Sequence, residues 1–257
     1  NFRGFKLMIL VTGGAGFIGS NLINHLVNSK NKEVVSVDWH NKKNEKYFIN
    51  NKFQKIDPKN LEGFLKKNKN NIETIIHLGA ITSTTENNLD LIITNNIRLS
   101  ILLWNWCRNN KKRFIYASSA ATYGKGENGF DDDYNDSNLS KLIPLNLYGW
   151  SKHIIDRFIW TKFKKFNSPS QCVGLKFFNV YGPNEFHKKD MKSIVLKIYE
   201  KILKDQTIKL FKSHNPDFED GEQLRDFIYV KDVVDVISWF LEKPVTNGLF
   251  NVGSSIP

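Results

Sequence analysis

The chain has 257 residues, and 37 lysines and arginines against 26 aspartates and glutamates leave a formal net charge of +11. Hydrophobic residues at 40% and charged residues at 25% are ordinary for a globular fold and exclude a disordered or collagen-like chain. No apolar run approaches the ~20 residues a membrane-spanning helix needs, and Asn1–Lys6 is too short and polar for a signal peptide.

Leu7–Thr12 is a continuous apolar run without alternation, which predicts a strand buried on both faces of a parallel sheet. The glycine-rich stretch Gly13–Gly19 follows, then an amphipathic helix to about Asn28 with Ile18, Leu22 and Leu26 at helical spacing. Val34–Asp38, Thr74–Leu78 and Phe114–Ser118 predict the next strands. Leu89–Arg108 reads as a helix through its apolar face of Leu91, Ile92, Ile97, Ile101 and Trp104. Tyr148–Phe166 reads as another helix and Cys172–Phe178 as a strand. Beyond Pro183 the alternation weakens. A helix over Met191–Leu203, a short strand at Ile208–Phe211, a polar loop over Asn215–Gln223, a helix over Val233–Leu241 and a strand at Phe250–Val252 are predicted. Trp104, Trp106, Trp160 and Trp239 fall on apolar helical faces and read as core. Strands alternating with helices imply an α/β fold with a doubly wound parallel sheet, its crossovers placing helices on both faces.

Lysine greatly outnumbers arginine, and Asn-Lys runs such as Lys66–Asn71 fall at predicted loops and helix ends. The positive charge therefore reads as compositional bias, with no nucleic acid and no membrane as partner. Cys107 and Cys172 lie far apart in apolar surroundings, without metal-ligand spacing, and read as reduced thiols of a cytoplasmic protein. The histidines show no ligand spacing either, and Asp131-Asp132-Asp133 reads as a surface turn, so no metal site is expected.

Gly13, Gly16 and Gly19 sit between a buried strand and a helix. A Rossmann-type dinucleotide site needs glycines there for a tight turn, close approach to a pyrophosphate and close helix–strand packing. Asp38 ends the second strand 19 residues after Gly19, where a carboxylate would take a ribose hydroxyl. By charge Asp38 favours NAD, whereas Lys42, Lys43 and Lys46 could neutralise the 2′-phosphate of NADP, and both cofactors stay open on these residues alone. Tyr148 and Lys152 are four residues apart on one helical face, an arrangement in which the ammonium should lower the phenol's pKa. Ser119, at the carboxyl end of the fourth strand, could hydrogen-bond the substrate oxygen on which Tyr148 acts.

Further segments extend this pattern: Gly79–Glu86, Ala117–Gly124, Tyr148–Lys152, Phe178–Lys188 and Arg225–Val233. Together with Thr12–Gly19 they make the chain resemble the extended short-chain dehydrogenases/reductases that act on nucleotide sugars, in the NAD-dependent epimerase/dehydratase family. Within these it is most similar to the ADP-heptose 6-epimerases, through Ser83-Thr84-Thr85-Glu86 and the Asn179–Lys188 segment. The resemblance implies a cytoplasmic homo-oligomer that supplies heptose for lipopolysaccharide core by oxidising and re-reducing C6″ of an ADP-sugar on bound NADP, or NAD. It implies Tyr148 and Lys188 as the two acid/bases, Ser119 assisting and Lys152 on the nicotinamide ribose. Phe17 and Ile18 would lie over the pyrophosphate, Asp38 and Trp39 at the adenosine ribose, and Lys46 and Lys59 near the NADP phosphate. Leu78, Gly79, Ala80, Ile81, Thr82, Asn95 and Val180 would line the cofactor.

Asn179 and Arg225 would contact the substrate, and Phe211, Lys212, Ser213 and His214 would pack its nucleotide. Asp190 and Lys197 fall at two further substrate positions, where a small hydroxyl residue and a histidine would be expected. Ala120-Ala121 stands where nucleotide-sugar dehydratases carry Asp-Glu, which argues against dehydration; a UDP-hexose 4-epimerase or a non-catalytic dinucleotide binder is the alternative. The implied division is a dinucleotide-binding domain over 1–178 and a small substrate lobe over 179–257, segments of which return to the first domain. Family members run on for roughly another 50–70 residues, so the resemblance implies a truncated lobe.

Overall fold

The computed structural model describes residues 7–163, 167–186, 192–204, 207–208, 210, 212–213, 216 and 219–255. In chain order the strands are β1 (Met8–Thr12), β2 (Glu33–Val37), β3 (Gln54–Ile56), β4 (Ile72–His77), β5 (Arg113–Ser119), β6 (Gln171–Phe177), β7 (Asn179–Tyr181), β8 (Phe227–Tyr229) and β9 (Gly248–Val252). The helices are α1 (Phe17–Asn28), α2 (Lys42–Glu45), α3 (Leu61–Lys67), α4 (Leu89–Ile92), α5 (Leu99–Asn109), α6 (Asp136–Leu139), α7 (Leu147–Phe163), α8 (Ile194–Ile202) and α9 (Val230–Glu242).

Seven strands form one parallel sheet in the order β3-β2-β1-β4-β5-β6-β9, and β7 and β8 form a separate parallel pair. The alternation of side chains along each strand divides the core in two. On β1, Ile9 and Val11 face α1 and α9, joining Leu22, Leu26, Val233 and Ile237. Leu10 faces the opposite layer, with Leu61 and Leu65 of α3, Leu103 and Trp104 of α5, and Ile155 and Trp160 of α7. A strand buried on both faces has no polar side, which is why these segments read as continuous apolar runs. Strand β9 pairs with β6, so this late segment belongs to the large sheet.

The structure departs from the sequence reading at several points. The helix expected over Leu89–Arg108 is broken by a π-helical turn at Ile93–Arg98. Ile208 and Leu210 are irregular, with no strand around them among the described residues; Phe211 and Met191 lie outside those residues. The last helix begins three residues early, at Val230. Trp104 and Trp160 are buried, but Trp239 is half exposed while its neighbour Phe240 takes the core position. Cys107 and Cys172 are buried free thiols. No described helix is long and apolar enough to cross a membrane, and no described group of three His, Cys, Asp or Glu residues could hold a metal ion.

Candidate active site

The order of the large sheet reverses direction between β1 and β4, and a crevice opens at the carboxyl ends of strands where this happens. There the structure has a cleft of about 1030 Å³. Its floor is the turn after β1. Gly13 adopts φ +70°, and a Cβ added to it would stand 2.6 Å from the backbone of Gly79. A Cβ on Gly19 would stand 2.1 Å from the Gly13 carbonyl oxygen. The turn therefore packs backbone on backbone, and α1 starts directly behind it. Gly16 caps that helix with no side-chain hydrogen bond, and the first turn carries no acidic residue. This end of α1 keeps its partial positive charge for an external anion, so these residues fit a dinucleotide pyrophosphate. Asp38 closes the far side of the turn: its Oδ2 accepts from Ala15 N–H at 2.9 Å and its Oδ1 from Trp39 N–H at 2.7 Å.

Gly13, Gly16, Phe17, Ile18, Gly19, Asp38, Trp39, Leu78, Gly79, Ala80, Ile81, Thr82, Asn95 and Val180 all line this one cleft. Lys46 and Lys59 do not. Lys46 follows α2 with its Nζ 5.7 Å from the Tyr47 ring centroid, and Lys59 is largely exposed, 3.7 Å from Asp57.

Ser119, Tyr148 and Lys152 stand on the same wall. Ser119 ends β5 and accepts from Ala121 N–H at 3.1 Å, and its hydroxyl is hydrogen-bonded to Tyr148 on the first turn of α7. Lys152, one turn later, is buried and donates from Nζ to the Ala117 carbonyl at 2.8 Å, with Nζ 5.9 Å from the Tyr148 ring centroid. Burial lowers the Lys152 pKa to about 8 against the upward pull of Asp156. The expectation of an acidified Tyr148 is overturned in this state: burial raises its pKa, and the Ser119 hydrogen bond opposes this only in part. The helix brings the ammonium one turn away as expected, but Nζ turns toward Ala117 and leaves the phenol to the effect of its surroundings.

Several residues that hold this wall carry no signal in their spacing. Asn96, on the π-helical turn, is buried. Its Oδ1 accepts from Ile81 N–H at 2.8 Å, and its Nδ2 donates to the Ile81 carbonyl at 2.9 Å and to Ser151 Oγ at 3.0 Å. Ser151 Oγ donates in turn to the Tyr148 carbonyl at 2.7 Å. A π-turn at a functional site is a recurrent feature, and the polar Asn95-Asn96 pair in an apolar segment was its only trace. His77 is buried with Nδ1 2.6 Å from Thr12 Oγ1 and Nε2 2.9 Å from Ser100 Oγ. Glu185 is buried on the cleft wall, where Oε1 accepts from Ser193 N–H at 2.5 Å and Oε2 from its hydroxyl at 2.8 Å.

The β7–β8 pair brings the candidate substrate residues to the cleft. Asn179, on β7, donates from Nδ2 to the Asp226 carbonyl at 2.8 Å. Arg225 is exposed just before β8, and both residues line the cleft. Asp226 points the other way, accepting from the N–H groups of Ser254 and Ser255 at 2.7 and 2.9 Å. Lys197, Lys212 and Ser213 do not line the cleft; Ser213 N–H donates to Asp220 at 2.7 Å. Lys188, Asp190, Phe211 and His214 lie outside the described residues.

This architecture has known counterparts. Residues 9–253 match the family model described as the NAD dependent epimerase/dehydratase family. A Fusobacterium nucleatum protein named ADP-L-glycero-D-manno-heptose-6-epimerase is 46% identical over 256 residues, covering 96% of this chain and 75% of that protein. The crystal structure of the identically named Helicobacter pylori enzyme superposes with a TM-score of 0.78 at 32% identity, covering 98% of this chain and 78% of that one. UDP-glucuronic acid 4-epimerase from Bacillus cereus, solved in complex with NAD, gives a TM-score of 0.76 at 29% identity, covering 96% of this chain and 77% of that one. With its glycine turn, its Ser-Tyr-Lys wall and nearly its whole length matched, the chain belongs to the NAD-dependent epimerase/dehydratase family.

Proposed function

We propose that the protein inverts C6″ of ADP-D-glycero-β-D-manno-heptose to give the L-glycero epimer, supplying heptose for lipopolysaccharide core in the cytoplasm. The observation that carries this reading is the convergence of Ser119, Tyr148 and Lys152 on the cleft that also holds the glycine turn, Asn179 and Arg225. Relatives of that name at 46% and 32% identity support the choice of sugar.

A bound dinucleotide supplies the hydride acceptor and donor. Tyr148, assisted by the Ser119 hydroxyl, exchanges a proton with the C6″ oxygen in one half-reaction. Lys188 is assigned to the other, because the ketone oxygen points in a different direction once the side chain of the sugar has rotated. The Lys152 ammonium favours the phenolate when Tyr148 gives up its proton, and the Arg225 guanidinium is assigned to the ADP diphosphate. We assign NADP as the cofactor: Asp38 already accepts two backbone N–H groups, and Lys42, Lys43 and Lys46, on and just after α2, are assigned to the 2′-phosphate. The exposed apolar side chains of Trp150, Ile154, Ile143 and Leu145 on and before α7 fit a homo-oligomer.

The test is incubation of the purified protein with ADP-D-glycero-β-D-manno-heptose, followed by NMR of the sugar and analysis of the dinucleotide released on heating. Conversion to an equilibrium mixture of epimers is expected, with NADP released and turnover reduced by about 10²-fold or more in Tyr148→Phe. Turnover of UDP-glucose in place of the ADP-heptose would sink the substrate assignment. Full turnover by Lys188→Met would sink the pairing of two bases.

A further inference from the structure

Beneath the Ser-Tyr-Lys wall, α7 carries another ionisable residue that the reaction above does not use. Asp156 is wholly buried and follows Lys152 by four positions, one turn along the same helix face. Its carboxylate is held from β5: Oδ1 accepts from the Tyr116 hydroxyl at 2.9 Å and Oδ2 from the Ser118 hydroxyl at 2.6 Å. Tyr116 is fixed in turn by Trp160, whose Nε1 donates to its hydroxyl at 3.1 Å. The neighbouring strand β6 contributes a second buried cation. Lys176 is 1% exposed, its Nζ has no hydrogen-bond partner, and it sits 4.0 Å from the centroid of the Tyr123 ring. The groups facing this carboxylate are thus Lys152 and Tyr148 from its own helix, Tyr116 and Ser118 from β5, Tyr123 just beyond β5, and Lys176 from β6. Behind them Lys176 faces Asp132 and His153, Tyr123 closes the cluster by donating to Asn251 at 2.7 Å, and Lys152 faces His77 of β4.

The cluster sets one carboxylate within electrostatic reach of two buried ammonium groups. A buried charge without a counter-charge costs several kcal/mol or gives up its ionisation. Lys152 donates to a neutral carbonyl and Lys176 rests on an aromatic face, so neither has a carboxylate as a direct hydrogen-bond partner. We propose that Asp156 is a positioning residue that keeps Lys152 a cation at the Tyr148 end of the cleft, with Lys176 completing the charge balance of the buried cluster. The inference rests on the reading of Ser119, Tyr148 and Lys152 as the proton-transfer wall. It explains why an acidic side chain is tolerated inside a helix–sheet interface otherwise filled by Ile155, Ile159 and Trp160.

The test follows the lysines directly and needs no turnover. The full chain is labelled with ¹³C at the lysine Cε carbons, and Lys152→Met and Lys176→Met identify the two resonances. In wild type Lys152 titrates near the value of about 8 that burial imposes. In Asp156→Asn its midpoint falls by about one pH unit or more, a tenfold loss of proton affinity, and that of Lys176 falls with it. Asp156→Glu restores the Lys152 midpoint. A folded Asp156→Asn protein whose Lys152 midpoint is unmoved overturns the proposal. Should Asp156→Asn fail to fold, Asp156→Asn/Lys176→Met is compared with Lys176→Met alone, and a Lys152 midpoint that is the same in the two overturns it equally. The alkaline limb of the pH–rate profile for ADP-heptose should move to lower pH with the midpoint. A moved midpoint in a protein that leaves ADP-heptose untouched sustains the role of Asp156 and refutes the substrate assignment alone.

Discussion

Replacing Gly13 by alanine places a methyl group where two backbones touch. Gly13 sits at φ +70°, a conformation that costs an L-residue about 1–2 kcal/mol. The new Cβ would also stand 2.6 Å from both Cα and N of Gly79 and 2.9 Å from the carbonyl carbon of Leu78. These atoms cannot swing aside as a side chain would. Leu78 N–H donates to the Thr12 carbonyl at 3.1 Å and Gly79 N–H to Thr12 Oγ1 at 3.2 Å, which ties the two segments together. Relief means separating the ends of β1 and β4, an overpacking penalty of about 1–3 kcal/mol. The total of about 2–5 kcal/mol is a large share of the 5–15 kcal/mol typical of a domain. The displacement falls on two walls of the cleft, so dinucleotide binding suffers as well. Gly63→Ala is the matched control. A Cβ there meets nothing within 4 Å on the exposed face of α3, and the helix should gain about 0.5–1 kcal/mol. Urea unfolding followed by circular dichroism, with dinucleotide titration of each variant, should show midpoints moving in opposite directions and affinity lost only in Gly13→Ala. A Gly13→Ala protein as stable as wild type, or an equal loss in both variants, would refute the steric reasoning.

Burial, with the Lys152 ammonium nearby, lowers the His77 pKa to about 3. The unfolded chain therefore takes up this proton first as pH falls. Stability contributed by the neutral ring is intact above the unfolded value and is lost from about pH 6.5 toward 3, at up to about 1.4 kcal/mol per pH unit. His77→Gln should flatten that part of a stability–pH curve, and parallel curves for variant and wild type would disprove it. Asn96→Ala strips Ile81 of both its side-chain partners and Ser151 of a donor, a cost of about 2–4 kcal/mol with weaker dinucleotide binding. Asn95→Ala loses only a bond to the Leu91 carbonyl and should cost about 1 kcal/mol or less. Equal losses of stability in thermal melts would contradict the distinction between these neighbours.

Local periodicity was enough for β1, β2, β4, β5 and β6, because a strand covered on both faces leaves an uninterrupted apolar run. It was not enough for β3, or for β7 and β8. Each has three residues, and β3 includes the polar Gln54 and Lys55 in its half-covered edge position. Such strands exist through their pairing partners, which lie 17 residues away for β3 and 46 for the β7–β8 pair at the nearest ends. In the same way, the apolar stripe of 89–108 announced a helix but not the π-turn, which accompanies the bonds Asn96 makes to Ile81 and Ser151.

By itself the sequence determined the layered α/β fold, the glycine turn and the pairing of Tyr148 with Lys152, because each rests on the geometry of a single element or turn. Only the tertiary structure decided their chemical state. The Tyr148 pKa rises, Lys152 turns to Ala117, and Asp156 serves as counter-charge to Lys152 and Lys176, because ionisation inside a protein is set by desolvation and by charges brought from other strands. Those neighbours exist only once β5, β6 and α7 have come together.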